Sequence, residues 1–408
     1  RNAISSLART GTGQSNRKGA LLQRGLIATQ LALSMVLLTD AFLLSRSFRQ
    51  LASVDPGFVS QHLSAVRIAM PYRVFQEAGK NRFAAQAIQR RFASLPGVSR
   101  AVLASGSPFA GGFGSSPVLV EGADKDNPNA RGIHTQQRYV SPGYFETMGF
   151  RLIRGRLFTA GDVAGGLNVA VLSAAQVKRD FPGRNPIGLR IKHQGQWREI
   201  VGVVSDVKHR ALKVEPDPTL YVPFDQYPST TFFVIVRESA GTSNTLDAYR
   251  RALREVEANA VVSSVRAMPS LIAASYSGER YRLVLIVAFA CIAALLAAVG
   301  MYGVGARAAA RRTREVGIRL ALGSTKGAIA RLMLGDAVRG VFIGLAIGVP
   351  ATIALGRFVQ PFLFGVSSTD AVSYMATAVL LAAVTLLASY VPSRRASRAD
   401  PAVVLRND

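Results

Sequence analysis

Cysteine occurs once in the 408 residues, at Cys291. No disulfide can form within the chain, so any region folded outside a membrane must be held by its own apolar core. Histidine is nearly as scarce: His62, His134, His193 and His209 are the whole set, and none has a second His or a Cys at metal-ligand spacing. The sequence holds no Gly-x-x-x-x-Gly-Lys-Ser/Thr phosphate loop, no Gly-x-Ser-x-Gly elbow and no His-Glu-x-x-His pair. ATP hydrolysis, serine-nucleophile chemistry and zinc proteolysis therefore have no motif to act through, and the reading is of a non-enzyme without catalytic, cofactor or metal residues. Asp206 and His209, in the run Ser205-Asp-Val-Lys-His-Arg210, are able in principle to share a proton or a metal. A surface turn after a buried strand explains them equally well. Acids are few, 24 against 49 Lys and Arg, for a net charge of +25. No short-period repeat is visible, which excludes a solenoid.

What the chain has instead is four apolar stretches, Gly25–Leu44, Leu283–Val304, Leu332–Leu355 and Ala371–Val391, each long enough to cross a bilayer as a helix. The second and fourth carry no charge, and the third has only Asp336 and Arg339 in its opening turns, where a mutual pair or snorkelling to the headgroups suffices. The first has the basic lead-in of a leader peptide, but its length and the lack of a small-x-small site beyond it favour a retained span. Spacing is one plus three, so residues 45–282 must fold outside the bilayer. The chain opens without Met on a Ser-, Gly-, Thr- and Asn-rich stretch, Arg1–Gly19, which reads as a flexible linker within 1–24 and as a piece of a longer or processed chain.

Orientation follows from Lys and Arg. Arg1, Arg9, Arg17, Lys18 and Arg24 precede the first span; Arg307, Arg311, Arg312, Arg314, Arg319, Lys326 and Arg331 lie in or beside the 305–331 loop; Arg394, Arg395, Arg398 and Arg406 lie in the 392–408 tail. The loop between the third and fourth spans offers only Arg357 and Asp370. Basic residues in short flanks stay cytoplasmic, so both termini are expected inside and 45–282 outside. That outer segment keeps 31 basic and 18 acidic residues. They are scattered rather than clustered with aromatics, which points to anionic headgroups or ligands and away from nucleic acid.

Within the outer segment, Leu63–Met70 alternates as a half-buried strand, Arg82–Leu95 places Phe83, Ala87, Ile88 and Phe92 at helical spacing, and Val98–Ala104 returns to strand. A second group has strand Asn168–Leu172, helix Ser173–Phe181 and strands near Leu189–Lys192 and Glu199–Val204; a third has strand Phe232–Val236, amphipathic helix Leu246–Glu257 and strand Val261–Arg266. These predict an α+β domain of two lobes, the middle portion inserted into a β-α-β framework. In the inner loop, Val316, Ile318, Leu320 and Leu322 make a short apolar helix surface that Gly323 is placed to end. Pattern alone leaves open whether it lies on headgroups or docks on a cytoplasmic partner. Gly340, Gly344 and Gly348 repeat every four residues on one face of the third span, a spacing that permits close helix packing.

Here the chain becomes recognisable. The run Arg314-Glu-Val-Gly-Ile-Arg-Leu-Ala-Leu-Gly323, the outer phrases Val140-Ser-Pro-Gly-Tyr-Phe145 and Phe181-Pro-Gly-Arg-Asn-Pro-Ile-Gly188, and the tail Pro392-Ser-Arg-Arg-Ala-Ser-Arg-Ala-Asp-Pro401 together resemble the MacB/FtsX-like ABC permease family. The likeness runs from about Gly25 to Arg406, and is closest to the second half of the duplicated permeases noted in acidobacteria. It implies four spans per half, an extracytoplasmic domain with a porter-like and an inserted lobe, a bacterial inner-membrane location, and mechanotransmission from a cytoplasmic ABC ATPase. It also implies a second permease half, as a homodimer or as the other half of a duplicated chain. The ATPase-contacting role falls on Arg314, Glu315, Val316, Gly317, Ile318, Arg319, Leu322 and Gly323. Export of an amphiphilic or peptide-like compound is the implied activity; a membrane-anchored sensor or scaffold is the reading that a chain working without an ATPase would require. Asp40 departs from the family's small uncharged residue there; because a lipid-facing carboxylate is costly, it is expected at the outer interface, with pairing to a basic group across a dimer as the alternative.

Overall fold

The computed structural model describes the chain apart from residues 1–3, 72–79, 113, 122–132, 163–164, 228, 240–243, 312–325 and 397–408. In order run α1 (Ile4–Ala52), β1 (Leu63–Ala69), α2 (Lys80–Ala93), β2 (Val98–Ala104), β3 (Gly114–Val120) and β4 (Ile133–Val140). There follow α3 (Tyr144–Met148), β5 (Leu152–Gly155), β6 (Val169–Ser173), α4 (Ala174–Asp180), β7 (Arg190–His193), β8 (Gln196–Val204) and β9 (Thr219–Pro223). The remainder is β10 (Thr231–Glu238), α5 (Leu246–Val256), β11 (Val261–Ala267), α6 (Met268–Ser275), α7 (Ser277–Arg311), α8 (Lys326–Val359) and α9 (Ala371–Ala396). Two compact units result: Arg1–Ser53 with Gly278–Asp408, and Val54–Ser277.

The first unit holds the four helices long and apolar enough to cross a membrane, Gly25–Ala52, Ser277–Arg307, Val338–Phe362 and Ala371–Pro392. Each helix overruns its apolar stretch. The Arg1–Gly19 stretch read as flexible is helical from Ile4, and α1 continues past Leu44 to Ala52. Once an apolar span has paid for nucleation, each further residue adds a hydrogen bond at little cost, and no proline interrupts residues 1–52. Leu31, Met35, Leu38 and Ala41 of α1 pack with Ala290, Ala297 and Met301 of α7 and Leu381 of α9. Val284, Phe289, Ile292, Leu295 and Val299 of α7 stay exposed, as faces solvated by lipid do. Small hydroxyls form a buried stripe along α9, Ser373, Thr377, Thr385 and Ser389. The last three donate to carbonyls four residues back and Ser373 donates to the Asp370 carboxylate, so each of these four hydroxyls has a partner.

The second unit is two lobes on one sheet. Strands β11-β1-β10-β2 lie side by side, all antiparallel, with Val66 opposite Val234 and Val265, and Leu103 opposite Val234. Chain order β1-α2-β2, then β10-α5-β11, on that strand order is the ferredoxin-like β-α-β-β-α-β arrangement, and the second lobe is inserted between β2 and β10. Helices α2 and α5 cover one face, where Ile88, Phe92, Tyr249 and Leu253 meet Val66, Leu103 and Val234. Tyr144, Phe145, Met268 and Leu271 cover part of the other against Leu63, Ala65, Val102 and Ile235.

The inserted lobe closes on itself. β4 pairs β3, β3 pairs β7, β7 pairs β8, β8 pairs β6, β6 pairs β9, and β9 returns to β4 in parallel. A six-stranded ring results, with β5 added beside the far half of β8. Closure removes all sheet edges but that of β5 within the lobe. Alternation sets the two sides of the ring wall: Val118, Ile191, Ile200, Leu172, Leu220 and Val222 lie in one buried cluster and Val171, Val201, Val204 and Tyr221 in the other.

Candidate functional site

The residues to which the ATPase contact was assigned, Arg314, Glu315, Val316, Gly317, Ile318, Arg319, Leu322 and Gly323, lie outside the described residues. Their setting is described: α7 ends at Arg311 and α8 begins at Lys326. α7 is one uninterrupted helix of 35 residues, about 52 Å long at 1.5 Å per residue. At its other end only Tyr276 separates it from α6. The α1 connection to β1, by contrast, runs through ten residues without a helix.

The glycine triad meets two helices. A β-carbon at Gly344 would stand 2.7 Å from Leu31 Cβ, and one at Gly348 would stand 2.8 Å from Met35 Cβ and 3.3 Å from Ala32 Cα, so both face α1 at a distance no side chain tolerates. Gly340 instead faces Met301 of α7 at ordinary contact, 3.6 Å. Ser34 of α1 donates to the Ala293 carbonyl of α7 across 3.1 Å. At the other end of α1, Arg46 makes two bonds to the Asp370 carboxylate, 2.8 and 2.7 Å, and Ser47 Oγ accepts from Phe364 N–H at 2.7 Å. The α8–α9 connection is thereby tied to α1. Burial works to raise the Asp370 carboxyl, but the Ser373 hydroxyl and N–H and the Arg46 guanidinium outweigh it and hold it below the usual carboxylate range. Asp40 is half-buried in the bundle, six residues and about 9 Å along the helix from Arg46. Arg339 is exposed.

In the outer unit, Asp206 and His209 have different hydrogen-bond partners. Asp206 Oδ1 accepts from Ala175 N–H at 2.7 Å, at the start of α4. His209 is buried, 3.5 Å from the Tyr221 hydroxyl through Nε2. Burial, then the Arg138 charge, drives its imidazole well below the ordinary histidine range. Arg138, also buried, donates to the Gln137 carbonyl at 2.6 Å; desolvation pulls its guanidinium down to about 10. No group of three or more His, Cys, Asp or Glu able to hold a metal occurs among the described residues.

Comparison with known proteins bears on both units. The model of the MacB-like periplasmic core domain matches residues 31–256, and that of the FtsX-like permease C-terminal region matches residues 287–401. The chain belongs to the MacB/FtsX-like permease family. It is thus a membrane permease with a MacB-like domain of mixed helix and sheet outside the bilayer. Among its relatives are the macrolide export ATP-binding/permease protein MacB of Syntrophobacter fumaroxidans, 24% identical over 80% of this chain and 58% of the relative, and the pyoverdine export ATP-binding/permease protein PvdT of Pseudomonas putida, 24% identical over 68% and 44%. The permease spans about half the length of the curated relatives it matches. The solved periplasmic region of MacB from Actinobacillus actinomycetemcomitans covers 54% of this chain and 95% of its own at 14% identity and a TM-score of 0.38.

Three features of the permease were not singled out in the sequence: the Arg46–Asp370 tie, the hydroxyl stripe of α9 and the polar interior of the ring. The first joins residues 324 positions apart, a separation that no local pattern signals. The second was open to detection, since Ser373, Thr377, Thr385 and Ser389 fall on one helical face.

Proposed function

We propose that this permease is the transmembrane unit of an ABC-type exporter, set in a bacterial inner membrane with both termini cytoplasmic, and driven by an ATPase carried on another polypeptide or segment. Docking of that ATPase on Arg314, Glu315, Val316, Gly317, Ile318, Arg319, Leu322 and Gly323 moves the ends of α7 and α8, and α7 passes the motion to α6 and the outer unit. The observation that carries this reading is the single helix from Arg311 to Ser277, which abuts α6 at one end and the docking segment at the other. Close seating of Gly344 and Gly348 on α1 makes α1 and α8 move as one body. A second permease half completes the working unit, either a second copy or the preceding half of a duplicated chain. Names of relatives, exporters of macrolides and of pyoverdine, support export as the activity; the cargo is taken to be an amphiphilic or peptide-like compound.

The test is ATPase activity of candidate cytoplasmic nucleotide-binding subunits reconstituted in lipid with this protein, unaltered or carrying Glu315→Ala or Gly317→Trp. Stimulation by the unaltered chain, cut about tenfold or more by either substitution, is the expected result. No association and no stimulation with any candidate would overturn it in favour of a membrane-anchored sensor or scaffold.

A further inference from the structure

The inserted lobe has a polar interior at one end of its ring. Register places His193 beside Val118 and Gln196, Arg198 beside Ile191, and Tyr139 beside Val222. Val118, Ile191 and Val222 belong to the buried cluster inside the ring, so the side chains of His193, Arg198 and Tyr139 point to that same interior. His193 is 0% and Arg198 2% exposed. Neither ring nitrogen of His193 and not the Nε of Arg198 has a hydrogen-bond partner among the described residues. Among the described residues the guanidinium donates to amide oxygens, those of Gln226 and, at 3.3 Å, Gln196. A buried guanidinium without a carboxylate is costly, because desolvation is not repaid by an opposite charge. Burial, and then Arg198, drive the imidazole down to about 4, so at neutral pH it is a neutral ring with one N–H to donate. The Tyr139 hydroxyl, donating to Gln137 at 3.1 Å and accepting from Gln194 at 3.2 Å, and Tyr227, stacked on Tyr139 at 4.7 Å, complete the surround. Gln194, Gln196 and Tyr227 reach the surface, so the buried pair lies one side chain below solvent.

We propose that this end of the ring is a binding site for the oxyanion of a small solute, a carboxylate or a phosphate, held by the Arg198 fork and the His193 N–H beneath a rim of glutamine amides and Tyr227. Two oxygens of a carboxylate or of a phosphate match a guanidinium through two parallel N–H···O bonds, and the site offers donors in excess of acceptors. A free anion and a lipid headgroup present the same chemistry.

The experiment is a titration of the full chain in zwitterionic nanodiscs with sodium acetate and, separately, inorganic phosphate, following side-chain signals of ring-15N-labelled histidine, with His193 assigned by His193→Gln. The expected result is a saturable shift of His193 with at least one probe, absent with chloride at equal ionic strength and weakened about tenfold or more in Arg198→Gln. The same titration with anionic-lipid nanodiscs and no added probe assigns a headgroup source if His193 is already shifted, and a free solute if it is not. A His193 signal that moves no more with acetate, phosphate or anionic lipid than with chloride overturns the proposal, as does an equal shift in Arg198→Gln. Should Arg198→Gln not fold, Arg198→Lys keeps the charge, loses the fork, and is expected to bind about tenfold more weakly.

Discussion

His193 is uncharged at neutral pH because burial and then the Arg198 charge disfavour an imidazolium, and that has a consequence for stability. The unfolded chain takes up a proton at this position near the ordinary histidine value of about 6.5; the folded chain does so near about 4. Between those values the unfolded state binds more protons, so stability rises with pH through this window and is lost on acidification. His209 pulls in the same direction. Asp162 has a depressed carboxyl, burial being outweighed by Arg156 and by the Thr159 N–H and hydroxyl; its contribution is lost only as pH falls below the carboxylate range, outside this window. Urea unfolding read by Trp197, the one tryptophan of the chain, is expected to give a stability lower by about 2 kcal/mol or more at pH 5 than at pH 7. His193→Gln should remove much of that difference; equal stability at the two pH values would refute the account. None of this was legible from sequence. His193 and Arg198 alternate with Ile191 and Ile200 as inward residues, but a polar residue at an inward position reads as an outward one until closure of the ring is known.

At the scale of elements, α1 and α8 are held by absence of side chain. Gly348 leaves 2.8 Å between its would-be β-carbon and Met35 Cβ, with the α1 backbone at Ala32 next, so Gly348→Val must push the helices apart. A loss of about 1–3 kcal/mol is expected from such overpacking, seen as a lower unfolding temperature in nanodiscs, with Gly303→Val on α7 as control because nothing stands within 4 Å of it. Equal effects of the two substitutions would show that the close approach does not hold the helices together. The triad was readable because four-residue spacing of glycines has one geometric meaning on a helix. Several strands of the outer unit were readable too: β1, β2, β6, β10 and β11 fall within two residues of their expected bounds. β3, β4, β5 and β9 escaped, β3 because Gly114-Ser-Ser-Pro117 reads as a turn, and β4 because Thr135, Gln137 and Arg138 are buried polar residues that break the alternation.

For the whole molecule, the proposed transmission of motion can be tested at the chain connection between α6 and α7. Insertion of Gly-Ser-Gly-Ser between Tyr276 and Ser277 replaces a near-continuous helical junction with flexible chain. In the reconstituted system, ATPase stimulation is expected to persist while the nucleotide-dependent change in hydrogen exchange of β11 and α6 disappears. Survival of that change would mean that motion reaches the outer unit by another route.

Sequence by itself determined four apolar helices in a one-plus-three arrangement, a large α+β insertion between the first two, and the family, because hydropathy, basic flanks and the separated motifs are local and survive without neighbours. Only tertiary structure decided which strands close into a ring, that Arg198 and His193 share its interior, that Asp206 meets the start of α4, and that Arg46 reaches Asp370. Each of these depends on contacts between distant segments, whose energy is set by burial and register rather than by any residue's own preference.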